Sequence, residues 1–587
     1  MKHSLRHEYL GQSMVEARGY QLEAVDEALS GSTLLVLPTG AGKSAIAWMV
    51  IAETLSKEKG WILMIAPTIA LVKQHQDDLT KIFGKKGIEP LGMSGGIIAS
   101  KRVKLWGSSR LVVSTPKVIR NDVENGILDL SKCSLLVVDE AHHTIGDRGE
   151  AQVAELFLNY SERPLILGMT ASPGSSIEKI MQICKKLAIE RIHLRSSNEP
   201  MLEEYLASLN IDELRVKVPD EIKLLAEPLI KWQEDIVDRE RRIGRYVMSG
   251  PITHSGLANA MERANTAIQR GERNAYTSMS NVGLAMSLHH LINHLLCQGI
   301  SASREFLDRK ELGEDANKKS TRNLLRDKRI RDLRSKLSSM DESHSKVSAV
   351  RRLIRDRIRQ NPDARIIVFA TFRDTVASLE KVISGLEGIK PTIFIGQSKR
   401  GSEKGLTPRE QVERIEDFRK GIHNILIATS VGEEGLDIPS ADLVIFYEPV
   451  SSEIRYIQRR GRTGRQRDGD VVVLIAEDTR DEGALAAAQR REESMHLAVA
   501  KVRRKLPRKI HIDLSNLNSF EIKTDINKII SAKDFVKQER EKHRPSIVDT
   551  DLSENESKTS ESTIIHPSTF RPKGQKGLEE FNSGNNE

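Results

Sequence analysis

The sequence predicts an α/β protein: two tandem parallel-sheet lobes, an all-helical domain inserted between them and a C-terminal tail. Three observations carry this. Short apolar β-prone runs alternate with helix-period stretches through residues ~10–200, and a second alternating set follows at ~366–475. Between the two sets, apolar residues across ~215–345 recur at helical spacing. At 587 residues the chain exceeds what a single core organises. The divisions are a first lobe at 1–212, a helical insert at 213–345, a second lobe at 346–515 and a largely disordered tail at 516–587.

In the first lobe the expected strands are Thr33–Val36, Ile62–Ile65, Leu111–Val113, Leu135–Val138 and Pro164–Gly168. The first of them runs into Leu37-Pro38-Thr39-Gly40-Ala41-Gly42-Lys43-Ser44 and then a helical stretch, Ala45 to Leu55. A strand, a Gly-rich turn and a helix in that order build a nest of backbone N–H groups that binds polyphosphate. Gly40 and Gly42 let the backbone approach phosphates, Lys43 reaches the β- and γ-phosphates, and the Ser44 hydroxyl can ligate Mg²⁺. Leu37 stands where such loops carry a first glycine.

The apolar run Leu135–Val138 ends in Asp139-Glu140-Ala141-His142. In a phosphate-loop enzyme the acid at such a strand tip holds Mg²⁺, which assigns Asp139 to the metal. Glu140, displaced by the strand's alternation, can polarise an attacking water.

The insert is expected to be helical almost throughout, with Leu284, Leu288, Leu291, Ile292, Leu295 and Leu296 on one face and Leu324, Leu325, Leu333 and Leu337 recurring similarly. Residues 301–360 hold 18 Lys and Arg against 10 Asp and Glu, an excess of 8 that equals the whole chain's net charge of +8. Such a concentration fits a phosphate-contacting surface or a solvated, salt-bridged helix face. A helix from Lys346 to Arg359 leads into second-lobe strands at Ile366–Phe369, Thr392–Ile395, Ile425–Ala428, Leu443–Phe446 and Val471–Ile475. In Gln458-Arg459-Arg460-Gly461-Arg462-Thr463-Gly464-Arg465, Arg462 and Arg465 are three apart, so a helix turns both guanidinium forks one way. Facing the phosphate loop across a cleft, they would stabilise charge on a transferring phosphoryl group.

With these motifs in this order the chain resembles a superfamily 2 helicase of the D-E-A-H type, whose two lobes are RecA-like and bind ATP between them. The resemblance implies roles for further residues. Arg18 and Gln21, with Tyr20, match the adenine-reading element; Pro67 and Thr68, Thr115 and Pro116, and Thr429 match backbone contacts to nucleic acid. Thr170-Ala171-Ser172, with His142, matches the elements coupling ATP state to lobe movement; Gly435 and Asp437 fall in a second-lobe nucleotide motif; and Gln458 helps place the water. Within the superfamily the likeness is to the Hef–FANCM family, carried by Phe394-Ile395-Gly396-Gln397, Gly405-Leu406-Thr407 and Ser430 to Pro439. It covers roughly residues 10 to 510 and implies an ATP- and Mg²⁺-dependent DNA helicase or translocase on forked or branched DNA, its insert a thumb-like grip on the DNA. A duplex-RNA-stimulated relative and a fork-binding scaffold recruiting a clamp and a nuclease are the rival readings. The family's larger members append a nuclease domain with an acidic metal cluster, and no such cluster follows here, which leaves any cutting to a separate nuclease.

No apolar run approaches the ~18–20 residues that span a bilayer. The first residues lack the apolar core of a secretory signal, and Cys133, Cys184 and Cys297 lie far apart without metal spacing. An intracellular protein is expected, cytoplasmic and nucleoid-associated, or nuclear in a eukaryote. In the tail, Gln575, Leu578 and Phe581 resemble a sliding-clamp peptide, because one 3₁₀ turn aligns the last two. Asn582 stands where a second aromatic belongs, and a tail without a partner is the alternative.

Overall fold

The computed structural model describes residues 3–11, 15–38, 40–196, 199–203, 205, 211–396, 405–429, 441–449, 470–506, 513–524 and 528–543. Sixteen strands occur among them: β1 Ser4–Arg6, β2 Thr33–Val36, β3 Trp61–Ile65, β4 Leu91–Met93, β5 Leu111–Ser114, β6 Cys133–Val138, β7 Ile166–Thr170 and β8 Arg191–Leu194 come first. They are followed by β9 Ile211–Val216, β10 Ile366–Ala370, β11 Pro391–Phe394, β12 Ile425–Thr429, β13 Leu443–Phe446, β14 Asp470–Ala476, β15 Glu521–Lys523 and β16 Ile529–Ser531.

The first lobe is a parallel sheet in the order β4-β5-β3-β6-β7-β2-β8. Both its faces are covered, so alternate residues of one strand enter different cores. Leu35, Met64 and Val137 pack on one side; Leu34, Leu63 and Leu136 pack on the other. Strands buried on both faces read as unbroken apolar runs, which is why these were predictable. The expected Pro164–Gly168 strand is observed two residues later, at Ile166–Thr170, with Leu165 O already accepting from Leu136 N of β6.

The second lobe is a parallel sheet in the order β11-β12-β10-β13-β14-β9. Its last strand comes from before the insert: Ile211 pairs with Val471 and Val216 with Ala476. The chain therefore enters the second sheet at Ile211, ahead of the division expected after 212, then leaves it to build the insert.

That insert packs the helices Asp220–Arg242, His254–Gln269, Ala275–Asn293, Ile300–Leu312, Lys319–Arg326 and Lys328–Ser339 around one core. Leu284, Leu288, Leu291, Ile292, Leu295, Leu324, Leu333 and Leu337 are all buried in it, as their spacing predicts. A buried polar seam ties the insert to the second lobe. Lys346, fully buried, donates from Nζ to Tyr447 O at 2.8 Å and pairs with Asp481. Tyr447 Oη donates to Gln298 O at 2.8 Å, and Thr375 Oγ1 donates to Gln298 Oε1 at 2.8 Å.

His344 closes this seam. Its Nε2 donates to Leu296 O at 3.0 Å while Nδ1 accepts from Lys346 N at 3.1 Å, capping the helix Ser345–Gln360, so the ring works only when neutral. Burial first, and then the neighbouring Lys346 charge, push its pKa down to about 4. Because the folded value lies below the ordinary one, the unfolded chain takes the proton first. Stability from this ring is complete above an unfolded value of about 6.5 and is lost as pH falls toward 4. We expect the denaturant midpoint to fall between pH 7.5 and pH 5.5, and His344→Asn to shrink that fall; equal midpoints at the two pH values would overturn the assignment.

Two C-terminal segments return to the first lobe. From the helix Arg480–Lys505, Met495, Ala498, Val499 and Val502 enter the first-lobe core. Beyond it, the tail expected from 516 is folded at 516–524 and 528–543: β15 pairs with β1, and Ala532–Lys542 packs along Gly19–Ser30. Leu517, Phe520, Ile522, Phe535 and Val536 are buried against the lobe. Asp26 accepts from Leu514 N at 3.3 Å and Asn516 N at 3.1 Å, and Arg540 Nε donates to Glu23 at 2.5 Å. The apolar residues here are too sparse to signal a core of their own; they fold because a finished lobe supplies the other half. Residues from 544 onward, including Gln575, Leu578 and Phe581, lie outside the described residues.

Candidate functional site: a phosphate loop beside an acidic strand tip

Strand order creates the first-lobe site. β6, β7 and β2 are neighbours and parallel, so the loops after all three open at one edge, where open α/β sheets place ligands. Those loops carry Asp139 and Glu140, Thr170 to Ser172, and, after β2, Leu37, Pro38 and Gly40 to Gly42, leading into the helix that starts at Lys43.

In that turn Gly40 and Gly42 have φ of 84° and 75°, the left-handed region that glycine enters without strain. At Gly42 space matters as well: an added Cβ would lie 2.2 Å from Gln21 Nε2. The helix Lys43–Lys57 starts directly after it, and Lys43 Nζ donates to Leu37 O at 3.1 Å. Tyr20 Oη and Gln21 Nε2 both donate to Ala41 O, at 2.9 and 3.0 Å, pinning the turn to the helix Gly19–Ser30. Gln21 Oε1 is buried and has no hydrogen-bond partner among the described residues. An orphaned acceptor beside a phosphate-binding turn suits the exocyclic amine of an adenine. Arg18 lies with its guanidinium 4.8 Å from the centre of the Tyr205 ring.

Asp139 Oδ2 is 2.8 Å from His75 Nε2, and Oδ1 accepts from Glu140 N at 3.0 Å. Burial pushes this carboxyl upward, but the His75 hydrogen bond and charge, with the Lys43 charge, outweigh it and hold the pKa below the ordinary range. A carboxylate whose charged form is favoured beside Lys43, with Ser44 on the adjoining helix, is a donor set that fits Mg²⁺. His75 is a residue the sequence reading missed. It sits mid-helix in Ile69–Phe83 and meets Asp139 only through the fold.

Glu140 adopts φ 48°, ψ 49°, an uncommon left-handed conformation for a side-chain-bearing residue. Its Oε2 is 3.3 Å from His142 Nδ1, which is also 3.1 Å from Thr170 Oγ1; Ser172 N donates to that same oxygen at 3.2 Å. A continuous polar chain therefore joins the acid to the loop after β7.

Elsewhere, Thr68 accepts from Leu71 N at 3.2 Å and caps Ile69–Phe83, while Thr115 precedes Pro116 at the start of Pro116–Glu124. Pro67, Thr68 and Thr115 are half-exposed at the C-terminal ends of the adjacent strands β3 and β5; Pro116 is buried. Thr429 differs from the expectation: it ends β12 almost wholly buried, its Oγ1 unpartnered among the described residues. Thr39, Gly435, Asp437, Gln458, Arg462 and Arg465 lie outside the described residues.

The lobes and the phosphate-loop site define a class. Residues 18–180 match the family model described as DEAD/DEAH box helicase, and 345–467 match the helicase conserved C-terminal domain. The crystal structure of the Pyrococcus furiosus Hef helicase domain superposes with a TM-score of 0.62 at 34% identity, covering 80% of this chain and 98% of that one. The chain belongs to the superfamily 2 helicases of the Hef–FANCM type.

A Methanocaldococcus jannaschii protein provisionally named an ATP-dependent RNA helicase is 36% identical over 84% of this chain and 62% of its own length. The ATP-dependent DNA helicase mph1 of Aspergillus oryzae is 28% identical over 84% of this chain and 47% of its own, and the Fanconi anemia group M protein of Gallus gallus is 29% identical over 82% and 26%. The chain thus spans between about a quarter and three fifths of the length of these relatives.

Proposed function

We propose that this chain is an ATP-dependent DNA helicase or translocase that acts on forked or branched DNA. The observation that carries the reading is the convergence of Lys43, Asp139, Glu140, His142 and Thr170 at one sheet edge, in a chain of this family. Lys43, Ser44 and the turn's N–H groups hold the phosphates, Asp139 and Ser44 hold Mg²⁺, and Gln21 reads adenine. Mg²⁺ supplies charge neutralisation on the phosphates. Glu140 accepts the proton of the attacking water. Gln458, Arg462 and Arg465, from the second lobe, are proposed to complete the site.

The chain Glu140–His142–Thr170–Ser172 lets the state of the phosphates reach the loop after β7, and through it lobe closure. A strand held at Pro67, Thr68 and Thr115 is read through its backbone, giving little sequence preference and steep salt dependence. The clamp peptide around Gln575, Leu578 and Phe581 and a separate nuclease are the proposed partners. Among the described residues no helix is long and apolar enough to cross a membrane.

The name of the archaeal relative favours one second reading, an RNA-stimulated enzyme. Steady-state ATP hydrolysis with forked DNA, linear duplex, single strand and duplex RNA separates the two. We expect the fork to stimulate most. Greatest stimulation by duplex RNA transfers the chain to the second reading, and no stimulation by any of them overturns both.

A further inference from the structure

Where the insert approaches the second lobe, basic side chains from several elements converge. His254 opens the helix His254–Gln269, and His289 and His290 lie near the end of Ala275–Asn293. Their ring centroids are 5.5 Å (254–290), 6.3 Å (289–290) and 6.4 Å (254–289) apart. Arg480 of the second lobe and Arg309 and Lys310 of Ile300–Leu312 lie within electrostatic reach. His254 and Arg480 are exposed, His289 and His290 half-buried.

Three carboxylates on the adjoining elements are engaged elsewhere. Asp374 pairs with Arg309 at 2.5 Å, Asp481 with Lys346, and Glu482 with Arg215 at 3.2 Å. Burial first, and then surrounding cations, push His289 and His290 down to about 4. Three imidazoles together suggest a metal, but among the described residues no group of His, Cys, Asp and Glu has the geometry to hold one. Among the described residues no carboxylate pairs with His254, His289, His290 or Arg480.

The cluster's position indicates which anion would suit it. His294, one turn beyond His290, packs its ring 4.9 Å from that of Phe372, in the loop that leaves the C-terminal end of β10. An anion among His254, His289, His290 and Arg480 would bridge insert and second lobe beside that loop. We propose that this cluster seats a backbone phosphodiester of the bound nucleic acid and so couples the insert's grip to the second lobe. The inference rests on the reading of the chain as a DNA translocase.

A phosphodiester there favours the imidazolium forms, raising ring values that stand at about 4 in the free chain, so binding takes up protons and fork affinity rises as pH falls from 6.5 to 5.5. The groups facing the rings are Arg480, Arg309 with its partner Asp374, Lys310, and the rings themselves with His294. The test is fluorescence anisotropy of the full chain with forked DNA over a salt series at both pH values. We compare the unmodified chain, Arg480→Gln and the double variant His289→Gln/His290→Gln. Arg480→Gln should weaken fork binding about tenfold and reduce the salt slope by about one. The double variant should lose the gain on acidification.

Native unfolding transitions with wild-type affinity, slope and pH response in both variants overturn the proposal and leave the function intact. If inorganic phosphate shifts the ring NMR signals of His289 and His290 while DNA does not, the site takes a free anion and the nucleic-acid assignment is overturned. Failure of the unmodified chain to bind any DNA overturns both readings.

Discussion

Glu140→Gln should lower the ATP hydrolysis rate by about 10²–10⁴-fold, the range attached to a positioned general base, while nucleotide still binds. The substitution keeps the volume and the backbone at φ 48° and removes only the capacity to accept a proton. Lys43, Ser44 and Asp139 are untouched, so fluorescent-nucleotide affinity should stay near wild type. Lys43→Ala is the contrast: it should lose phosphate contacts and hydrolysis together. The His142 ring, within 3.3 Å of Glu140 and 3.1 Å of Thr170, supplies a third point. His142→Ala should retain more ATP turnover than Glu140→Gln yet lose DNA stimulation, because it cuts the path between acid and loop. Wild-type turnover in Glu140→Gln would sink the assignment of the base, and unaltered stimulation in His142→Ala would sink the coupling path.

Much of this site was legible in the sequence, for a physical reason. Residues that bind phosphate must sit on a Gly-rich turn between strand and helix, so the chemistry is contiguous along the chain. Gly40 to Ser44 and Asp139-Glu140 could be read that way. His75 could not, since its link to Asp139 spans 64 residues and nothing local marks it.

The strands divide similarly. β2, β3, β5, β6 and β7, along with β10 and β12 to β14, are doubly buried or nearly so and show as apolar runs, while β11, an edge strand of alternating burial, was still legible from Thr392, Ile393 and Phe394. The missed β4, β8 and β9 are edge strands, and β9 carries Asp212, Glu213 and Arg215, since an edge tolerates charge and uses it to resist further pairing. The folded segments 513–524 and 528–543 hid for a related reason: half of their core belongs to the first lobe, with partners from as early as Leu5.

The seam between insert and second lobe leads to the largest stability effect. Lys346→Met should destabilise the second lobe, on which the insert's Gln298 docks, by about 3–5 kcal/mol, the cost of removing one partner from a buried ion pair. Lys346 is fully buried and Asp481 nearly so, and Lys346 Nζ also donates to Tyr447 O. Without the ammonium, the Asp481 carboxylate keeps one described partner, Ala476 N at 3.1 Å, and Tyr447 O loses its donor.

Lys346→Met combined with Asp481→Leu should recover part of the loss, since no buried charge is then unpaired. Recovery stays incomplete because Ala476 N is orphaned at the end of β14. The measurement is denaturant unfolding followed through the second lobe for the two single variants and the pair. If the single variants are each near neutral, the pair is not what fixes the seam. If the double variant equals the sum of the singles, Lys346 and Asp481 act independently.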